Sequence, residues 1–459
     1  MAAHRLDTAI LNGTVVSPTG RFAANVGILD GRVAVLSTGR LAAKRRIDAG
    51  GKILLPGLID PHGHLQHCWE DGEAFRHETQ RKVLGGVTTY LDYASGPRGP
   101  LKSMGRWKPQ IEAHSYVDMG IQPIINGKET LSEIEDLLEL HGVSSFKFFF
   151  SGLERELYPT IFSLNDGVLV RAFEIVAALG RPTRAVVHAE NWEIGWFLEG
   201  EIRGQGRTDG AVWTDAHPHI CEEEGIARAC FYAEKTGCPL YIVHIGVGAG
   251  PKILADARKR GVDVIGETCP HYLLVDRDDR RIALAKYNPA VKWAKDREAL
   301  WLAAGGNGID CVGSDHIASA GMEEQFMNKE KDMWAARSGL PGSGTILFTL
   351  LDGVQRKRLS LERLVALSSY NPARAFGLFP RKGHIGVGAD ADIVILDPDR
   401  TFTFRNRDFL LHVSLLEGMR IKGRPERVLL RGETVVENGR VVAAEPGGEY
   451  LERRHTPHA

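Results

Sequence analysis

Two histidines one residue apart, His62 and His64, end the segment Leu-Pro-Gly-Leu-Ile-Asp-Pro-His-Gly-His over residues 55–64. In a β-strand, residues i and i+2 point to the same face, so both imidazoles can reach one metal ion at the carboxyl end of the strand. The pair alone is a weak signal, because histidines at this spacing also occur on solvated strand faces. We therefore interpret it together with residues elsewhere in the chain.

Four further ionisable residues end short apolar runs in the same way: Lys147 after Ser-Ser-Phe, His188 after Ala-Val-Val, His244 after Tyr-Ile-Val and Asp315 after Cys-Val-Gly-Ser. Buried charges need partners, so packing alone does not explain such residues at the ends of successive β-rich runs. The pattern predicts that all six side chains converge on one site.

The runs that carry these residues alternate with helical stretches along the middle of the chain. We count eight β runs: 58–62, 88–93, 121–125, 145–150, 184–189, 240–245, 262–267 and 309–314. Strands that alternate with helices pair in parallel, and eight such units close into an α/β fold, the (β/α)8 TIM-like barrel. Active sites of this barrel lie at the carboxyl ends of the strands, where every candidate ligand falls.

Both ends of the chain have a different residue pattern, in which short β-strand patterns are separated by glycine turns. We predict a small β-sandwich domain built from residues 1–55 and 385–445, the (β/α)8 barrel over 56–384, and a C-terminal tail over 446–459. The tail is polar, with Gly, Arg and His. It is either an ordered arm on a neighbouring subunit or frayed, and we favour the frayed tail.

Composition excludes several classes of partner. The 459 residues carry a formal net charge of -1, so no field of one sign would attract nucleic acid or an acidic membrane surface. No segment approaches the ~20 apolar residues that cross a bilayer. The six cysteines are scattered, as expected for reduced thiols of a cytoplasmic protein. A small neutral or weakly charged substrate fits these features.

Several longer strings accompany the candidate ligands: Gly-Gly-Val-Thr-Thr at 85–89, Glu-Thr-Cys-Pro-His-Tyr-Leu at 267–273, Gly-Ser-Asp-His at 313–316, Asn-Pro-Ala-Arg-Ala-Phe-Gly at 371–377 and Gly-Ala-Asp-Ala-Asp-Ile-Val at 388–394. With these strings the chain resembles the amidohydrolase superfamily over nearly its whole length. Within it, the chain is similar to the cyclic amidohydrolases, which are the hydantoinases, dihydropyrimidinases, allantoinases and dihydroorotases.

The resemblance implies a centre of two divalent metal ions, with His62, His64 and Asp315 on one ion, His188 and His244 on the other, and Lys147, carboxylated by CO2, between them. A free ammonium cannot ligate a cation, so Lys147 must be neutral, point away or become an anionic ligand. Zinc is the first expectation, and manganese, iron or cobalt suit the same ligands. The resemblance also suggests a homotetramer or homodimer.

The predicted activity is hydrolysis of a C–N amide bond, in a cyclic amide or imide, by hydroxide shared between the metals with Asp315 as proton shuttle. The alternatives are an allantoinase, a hydrolase of non-cyclic amides or carbamates, a one-metal deaminase, and a catalytically silent binding protein of the same fold. Lys147 argues against the deaminase, and the complete ligand set argues against the silent protein.

Substrate contacts are predicted from departures from the family strings. Gln66 stands where dihydroorotases carry an arginine, and Gly152 stands where hydantoinases carry a tyrosine that Tyr158 of the same loop can replace. Two ring-holding strings are altered at 288–292 and 337–342. The candidate substrate-binding residues are Gln66, Tyr158, Asn288 and Ser338. We interpret His271 and His316 as hydrogen-bond partners or buried imidazoles rather than ligands.

Overall fold

The first strands of the chain belong to a small β-domain. The computed structural model describes residues 6–96, 99–150, 164–318 and 332–454, apart from the side chains of Gln66 and His67. The strands are β1 (Leu6–Ser17), β2 (Gly20–Leu29), β3 (Arg32–Ser37), β4 (Ala43–Asp48) and β5 (Ile53–Pro56). Asp30 and Gly31 turn the chain between β2 and β3 with positive φ angles of 50° and 74°, the backbone of the tight hairpin turns that Asp-Gly favours.

The middle of the chain forms a barrel of parallel strands. They are β6 (Leu58–His64), β7 (Val87–Ala94), β8 (Asp118–Pro123), β9 (Ser145–Phe149), β10 (Arg184–His188), β11 (Leu240–Ile242), β12 (Val264–Thr268), β13 (Cys311–Val312) and β14 (His316–Ile317). Most of them are buried on both faces, as parallel strands covered by helices must be, which explains their continuous apolar runs.

The barrel closes at two seams. Strands β14, β6, β7 and β8 form one parallel sheet, and β9 to β13 form a second. Ile124, just after β8, bridges Lys147 on β9. At the other seam, the segment from β13 passes through residues 313–315 into β14, which pairs with β6. The last two strands are thus one interrupted strand, and each of the eight predicted runs overlaps a barrel strand. The predicted barrel is confirmed.

Helices follow the barrel strands and cover the outside of the barrel. They are α1 (Gly72–Leu84), α2 (Pro100–His114), α3 (Glu133–His141), α4 (Asp166–Leu179), α5 (Trp192–Gly204), α6 (Val212–Ala216), α7 (His219–Thr236), α8 (Gly250–Lys259), α9 (Pro270–Leu274), α10 (Ala294–Gly305), α11 (Ile346–Gln355), α12 (Leu361–Val365) and α13 (Asn371–Ala375). Asp71, Asn165 and Asn191 cap helices α1, α4 and α5 by accepting backbone N–H groups of the first turn. Within the described ranges, none of the helices has the length and apolarity to span a bilayer.

The last strands complete the small β-domain. They are β15 (Ile393–Thr403), β16 (Arg420–Leu430), β17 (Glu433–Glu437) and β18 (Arg440–Val441). Strand β15 pairs with β5, which joins both ends of the chain in one sheet of order β18-β17-β16-β15-β5-β1-β2-β3, with β4 beside β1. A separate core contains Ile10, Val26 and Leu54 from the first part and Ile393 and Leu429 from the second. The predicted domain of shared chain ends is confirmed.

The residues after the small β-domain return to the barrel as an arm, residues 448–453. The N–H of Gly448 donates to the carbonyl of Ser115 at 2.8 Å, and the N–H of Leu451 donates to the carbonyl of Met119 at 2.7 Å. The N–H of Arg453 donates to the carbonyl of Gly142 at 2.7 Å, and both Leu451 and Arg453 are buried. The preference for a frayed tail was therefore wrong for the described part of this segment, because backbone hydrogen bonds order it.

Candidate metal centre

Three of the predicted ligands meet at the carboxyl end of the first barrel strand. Nε2 of His62 lies 3.0 Å from Oδ1 of Asp315, and Nε2 of His64 lies 3.8 Å from the same oxygen. The ligand atoms of these three residues all lie within 4.8 Å of one another. His62 and His64 share one strand face, as predicted, and Asp315 reaches them across the seam between β14 and β6. Two imidazoles and a carboxylate at this spacing can hold one divalent ion.

Two further histidines stand on neighbouring strands. Nδ1 of His188, the last residue of β10, lies 2.8 Å from Nε2 of His244, just after β11. The ring centroid of His244 is 5.3 Å from that of His62, so the two groups of ligands share one chamber. The structure thus brings together all four predicted histidines and Asp315.

Lys147 lies in the same chamber and is buried. Its Nζ is 4.3 Å from the ring centroid of Tyr93, and that ring contacts His62 and His64 at centroid distances of 4.8 Å and 5.4 Å. Among the described residues, no carboxylate forms an ion pair with Lys147 within 4.0 Å. Burial lowers the pKa of its ammonium to about 8. The neutral amine is therefore a much larger fraction of this side chain at physiological pH than it is of an exposed lysine.

The loop residues that carry two of the ligands have unusual backbone angles. His244 has a φ of 44° and Asp315 has a φ of 50°, in the left-handed region that non-glycine residues rarely adopt. Such strain persists only where surrounding contacts fix the backbone. Around Asp315, the hydroxyl of Ser314 donates to Asp60 at 2.7 Å, and the N–H of Ser343 donates to Nδ1 of His316 at 3.2 Å. These contacts on both sides hold the direction of the Asp315 side chain.

Glu267, at the end of β12, is a site residue that the sequence interpretation missed. Its Oε1 accepts from Nδ1 of His62 at 2.6 Å and from the N–H of His244 at 3.1 Å, and its Oε2 accepts from the hydroxyl of Tyr241 at 2.8 Å. A proton on Nδ1 leaves Nε2 of His62 as the free ligand atom. The available signal was its position, because Glu267 also ends an apolar strand.

Glu190 has a comparable relation to His188 and was also missed. Its Oε2 lies 3.4 Å from Nε2 of His188, and its Oε1 lies 3.2 Å from Nδ1 of His217. Nε2 of His217 lies 3.1 Å from Oε1 of Glu199. This contact leaves Nδ1 of His188 directed at His244. Glu190 follows its histidine by two residues on the same strand end, which was the only sequence signal.

The electrostatics of the chamber suit a cation. Burial opposes a charge on His62, but the carboxylates of Glu267 and Asp315 outweigh burial and raise its pKa to about 9, so a metal ion would displace a proton from this imidazole on binding. Burial lowers the pKa values of His64 and His244 well below the usual range, so these imidazoles are neutral, as metal ligands must be. Burial would raise the pKa of Asp315, but His62 and His64 hold it below its usual range, so this carboxylate is ionised.

A second observation also indicates that these residues can hold a metal ion. Nδ1 of His244 is a buried nitrogen that makes no hydrogen bond to any described residue, and Nε2 of His62 has no partner besides Oδ1 of Asp315 at 3.0 Å. Buried polar atoms are normally satisfied, and each exception calls for an explanation such as an ion. A divalent ion beside each nitrogen would satisfy both atoms.

The other predicted residues lie around this chamber or outside the described part. His271 stacks on Tyr287 at a centroid distance of 3.5 Å, and Nε2 of His316 lies 3.0 Å from Oε2 of Glu78. Asn288 and Ser338 lie on neighbouring segments, because the N–H of Gly339 donates to the carbonyl of Lys286 at 2.7 Å. The side chain of Gln66 and the whole of Gly152 and Tyr158 fall outside the described residues.

Comparison with known proteins gives a consistent result. Residues 201–435 match the model of the amidohydrolase family. The chain is 33% identical to a D-hydantoinase of Rhizobium radiobacter over 98% of this chain and 99% of that protein. It is 35% identical to an allantoinase of Rubrobacter xylanophilus over 97% of each chain. Among solved structures, a D-hydantoinase matches with a TM-score of 0.88 at 31% identity, over 98% of this chain and 99% of the other. A dihydropyrimidinase from Brevibacillus agri matches with a TM-score of 0.89 at 29% identity, over 97% and 98%.

Proposed function

This chain belongs to the amidohydrolase family, and we propose that it is a metal-dependent hydrolase that cleaves a C–N bond in a cyclic amide or imide. One observation carries the proposal: four histidines and Asp315 converge around buried Lys147 at the carboxyl ends of the barrel strands. Its relatives named hydantoinase and allantoinase support a cyclic substrate.

We propose two divalent ions, with His62, His64 and Asp315 on one, His188 and His244 on the other, and a carboxylated Lys147 between them. When bound, such ions lower the pKa of a water molecule and polarise a carbonyl group. Zinc is our first choice, and manganese, iron or cobalt suit the same ligands. The lowered pKa of Lys147 supports carboxylation, because its neutral Nζ can attack CO2, form the N–C bond and release a proton.

Asp315 is the proposed proton shuttle. Its carboxylate is ionised, so an Oδ atom can accept the proton of the attacking water and then donate it to the ring nitrogen as the C–N bond breaks. Contacts of Ser314 and His316 hold the strained backbone that aims this side chain. The proton ends on the leaving amine, and the water oxygen ends in the new carboxylate.

Asn288 and Ser338 are proposed to hold the substrate ring, together with Gln66 and Tyr158, which follow the first and fourth barrel strands in the sequence. Oδ1 of Asn288 is buried and makes no hydrogen bond to a described residue, which supports a role in binding. A ring amide presents both a donor and an acceptor, which match an asparagine side chain and a serine hydroxyl.

An allantoinase is the second candidate, since an allantoinase relative is 35% identical over 97% of this chain. A hydrolase of non-cyclic amides or carbamates on the same scaffold is the third.

We also propose a cytoplasmic homo-oligomer, a tetramer or dimer, with domain limits at 1–55, 56–384, 385–445 and 446–459. All six cysteines are buried and free, which supports a reducing compartment. Light scattering on the purified protein tests the oligomeric state.

The activity is tested with one panel of substrates and zinc-loaded enzyme: hydantoin, dihydrouracil, allantoin, dihydroorotate, succinimide, and open-chain amides and carbamates. Chelated enzyme is the control. We expect metal-dependent hydrolysis of at least one ring amide and none of dihydroorotate. Turnover of open-chain amides alone would contradict the proposal of a cyclic substrate. No turnover of any compound would contradict the proposal that the protein is an amide hydrolase.

A further inference from the structure

Lys286 is a buried lysine that holds two neighbouring segments together. Its Nζ donates to the carbonyl oxygens of Trp334 at 3.1 Å and Ala336 at 2.6 Å. Its own carbonyl accepts the N–H of Gly339 at 2.7 Å. The side chain and the backbone of one residue therefore fix residues 334–339 against the segment that begins at Lys286.

Trp213, on helix α6, supports the same arrangement from the other side. Its Nε1 donates to the carbonyl of Tyr287 at 2.8 Å, and the Nζ of Lys286 lies 4.2 Å from its ring centroid. The rings of Trp213 and Trp334 are 6.1 Å apart. The side chains of Trp213, Trp334 and Lys286 thus pack together between the two segments and set their separation.

These segments flank the metal centre. Tyr287 stacks on His271, and Asn288 follows it. On the second segment, Leu340 accepts the N–H of Ile317 at 3.2 Å, two residues after Asp315. Asn288 and Ser338, the two proposed substrate contacts within the described residues, therefore stand on the two segments that Lys286 joins.

We propose that Lys286 is a specificity-determining positioning residue, which sets the separation of Asn288 and Ser338 and hence the size of the cyclic amide that fits between them. The inference rests on the proposed function. Hydrogen bonds from an ammonium group are stronger than neutral ones, so two of them to carbonyls define the position of the second segment closely. Because Lys286 acts through the segment that its Nζ holds, its loss should weaken binding of ground state and transition state alike.

The test is Lys286→Met, which keeps the length of the side chain and removes both donors. Kinetics on hydantoin and dihydrouracil compare a five-membered with a six-membered ring. We expect KM to rise by about tenfold or more with kcat within about threefold, as for lost uniform binding. The preference between the two rings should also change, and Lys286→Arg should restore part of the KM.

The matched control is Lys382→Met. The Nζ of this buried lysine donates to the carboxylates of Asp118 at 2.5 Å and Asp392 at 2.8 Å, outside the two segments. Its loss should reduce thermal stability and leave KM and ring preference unchanged. An equal change of KM in both variants would overturn the proposal, since a general loss of packing would then explain it.

Hydrogen–deuterium exchange gives a readout that needs no activity. In Lys286→Met, exchange should increase in peptides covering 286–290 and 332–340, and Lys382→Met should leave 332–340 at the wild-type rate. If Lys286→Met does not fold, Trp213→Phe removes the bond to Tyr287 and should raise KM in the same way. Unchanged exchange and KM in the folded variant overturn the role of Lys286. Failure of the wild type on every ring overturns the proposed function instead, and exchange still decides whether Lys286 joins the segments.

Discussion

Lys147 is the residue on which the chemistry of the centre depends most. A buried ammonium that forms no ion pair with a described carboxylate is unfavourable, and burial brings its pKa to about 8. Carboxylation would convert this unfavourable cation into the anion that two metal ions need between them. Such a carbamate would explain why a lysine, and not a glutamate, occupies this position on β9.

The candidate ligands were predictable as a group because each ends an apolar strand, which is a local property of the sequence. Glu267 and Glu190 were missed because their roles depend on which strand ends lie side by side. Glu267 contacts His62, which is 205 positions away in the sequence, only because the barrel brings the ends of their two strands together. Sequence spacing does not encode such contacts.

Replacing Asp315 by asparagine removes the proposed proton shuttle but keeps an oxygen at the ligand position. We expect kcat to fall by roughly 100- to 10,000-fold, the usual contribution of general acid–base catalysis, while most of the metal remains. Kinetics with metal analysis by mass spectrometry measure both quantities. Asp278→Asn, at an exposed carboxylate, is the control. Normal turnover in Asp315→Asn would eliminate the shuttle role.

Replacing Glu267 by glutamine tests the support of His62. The amide keeps the shape but loses the charge that holds the proton on Nδ1, so metal affinity should fall about 10- to 100-fold. Competition with a zinc chelator measures this affinity. Glu298→Gln, at a surface glutamate paired with Arg358, should bind zinc as the wild type does. Equal affinity in both variants would show that Glu267 does not orient a ligand.

At the scale of elements, the eight barrel strands were predictable because parallel strands buried on both faces leave continuous apolar runs. The arm at 448–453 was not, because its composition is polar and its order comes from backbone hydrogen bonds to Ser115, Met119 and Gly142. Leu451 and Arg453 have buried side chains, and Tyr450 packs against the core while partly buried. A segment whose two apolar residues are adjacent gives no periodicity to interpret.

The contribution of the arm is measurable with Leu451→Ala. Leu451 is buried in the same cluster as Leu91 and Tyr93 of the barrel interior, so we expect a loss of about 2–5 kcal/mol in the free energy of unfolding. Urea denaturation of the folded protein provides the value. Leu302→Ala, at a side chain that is 80% exposed, should change stability by no more than about 0.5 kcal/mol. Equal effects would mean that the arm does not pack in solution.

At the scale of the whole molecule, a buried ion cluster joins the two domains. Nζ of Lys382 lies 2.5 Å from Asp118 of the barrel and 2.8 Å from both Asp390 and Asp392 beside the small β-domain. Asp118 also pairs with Arg431, just after β16. Lys382 and Asp118 are 264 positions apart in the sequence, so only the folded chain reveals the cluster.

Lys382→Met should leave three buried carboxylates without their shared cation. We expect a loss of about 3–5 kcal/mol in the free energy of unfolding, as for other broken buried pairs. Lys52→Met is the matched control: this half-buried lysine also meets two carboxylates, Asp397 and Glu426, and its loss should be about 0–1 kcal/mol. Urea denaturation compares the two. A small effect of Lys382→Met would show that the cluster does not stabilise the domain contact.

The same cluster predicts a pH dependence. Burial opposes the charge, but Asp392, Asp118 and Asp390 outweigh it and raise the pKa of Lys382 above its usual range. A raised pKa in the folded state gives stability that is fully present below the unfolded value, about 10.4, and is lost as pH rises through the folded value. The stability difference between wild type and Lys382→Met should therefore be constant from pH 6 to about 9 and shrink above about 10.4.

The central claim, a two-metal centre built around Lys147, is tested most directly by counting metal ions per chain in the wild type and in Lys147→Ala, after chelation and reloading with zinc in bicarbonate. We predict two ions per wild-type chain, and fewer than one in Lys147→Ala together with loss of activity. Short carboxylic acids that replace the carbamate should partly restore both. Two ions and full activity in Lys147→Ala would contradict the account.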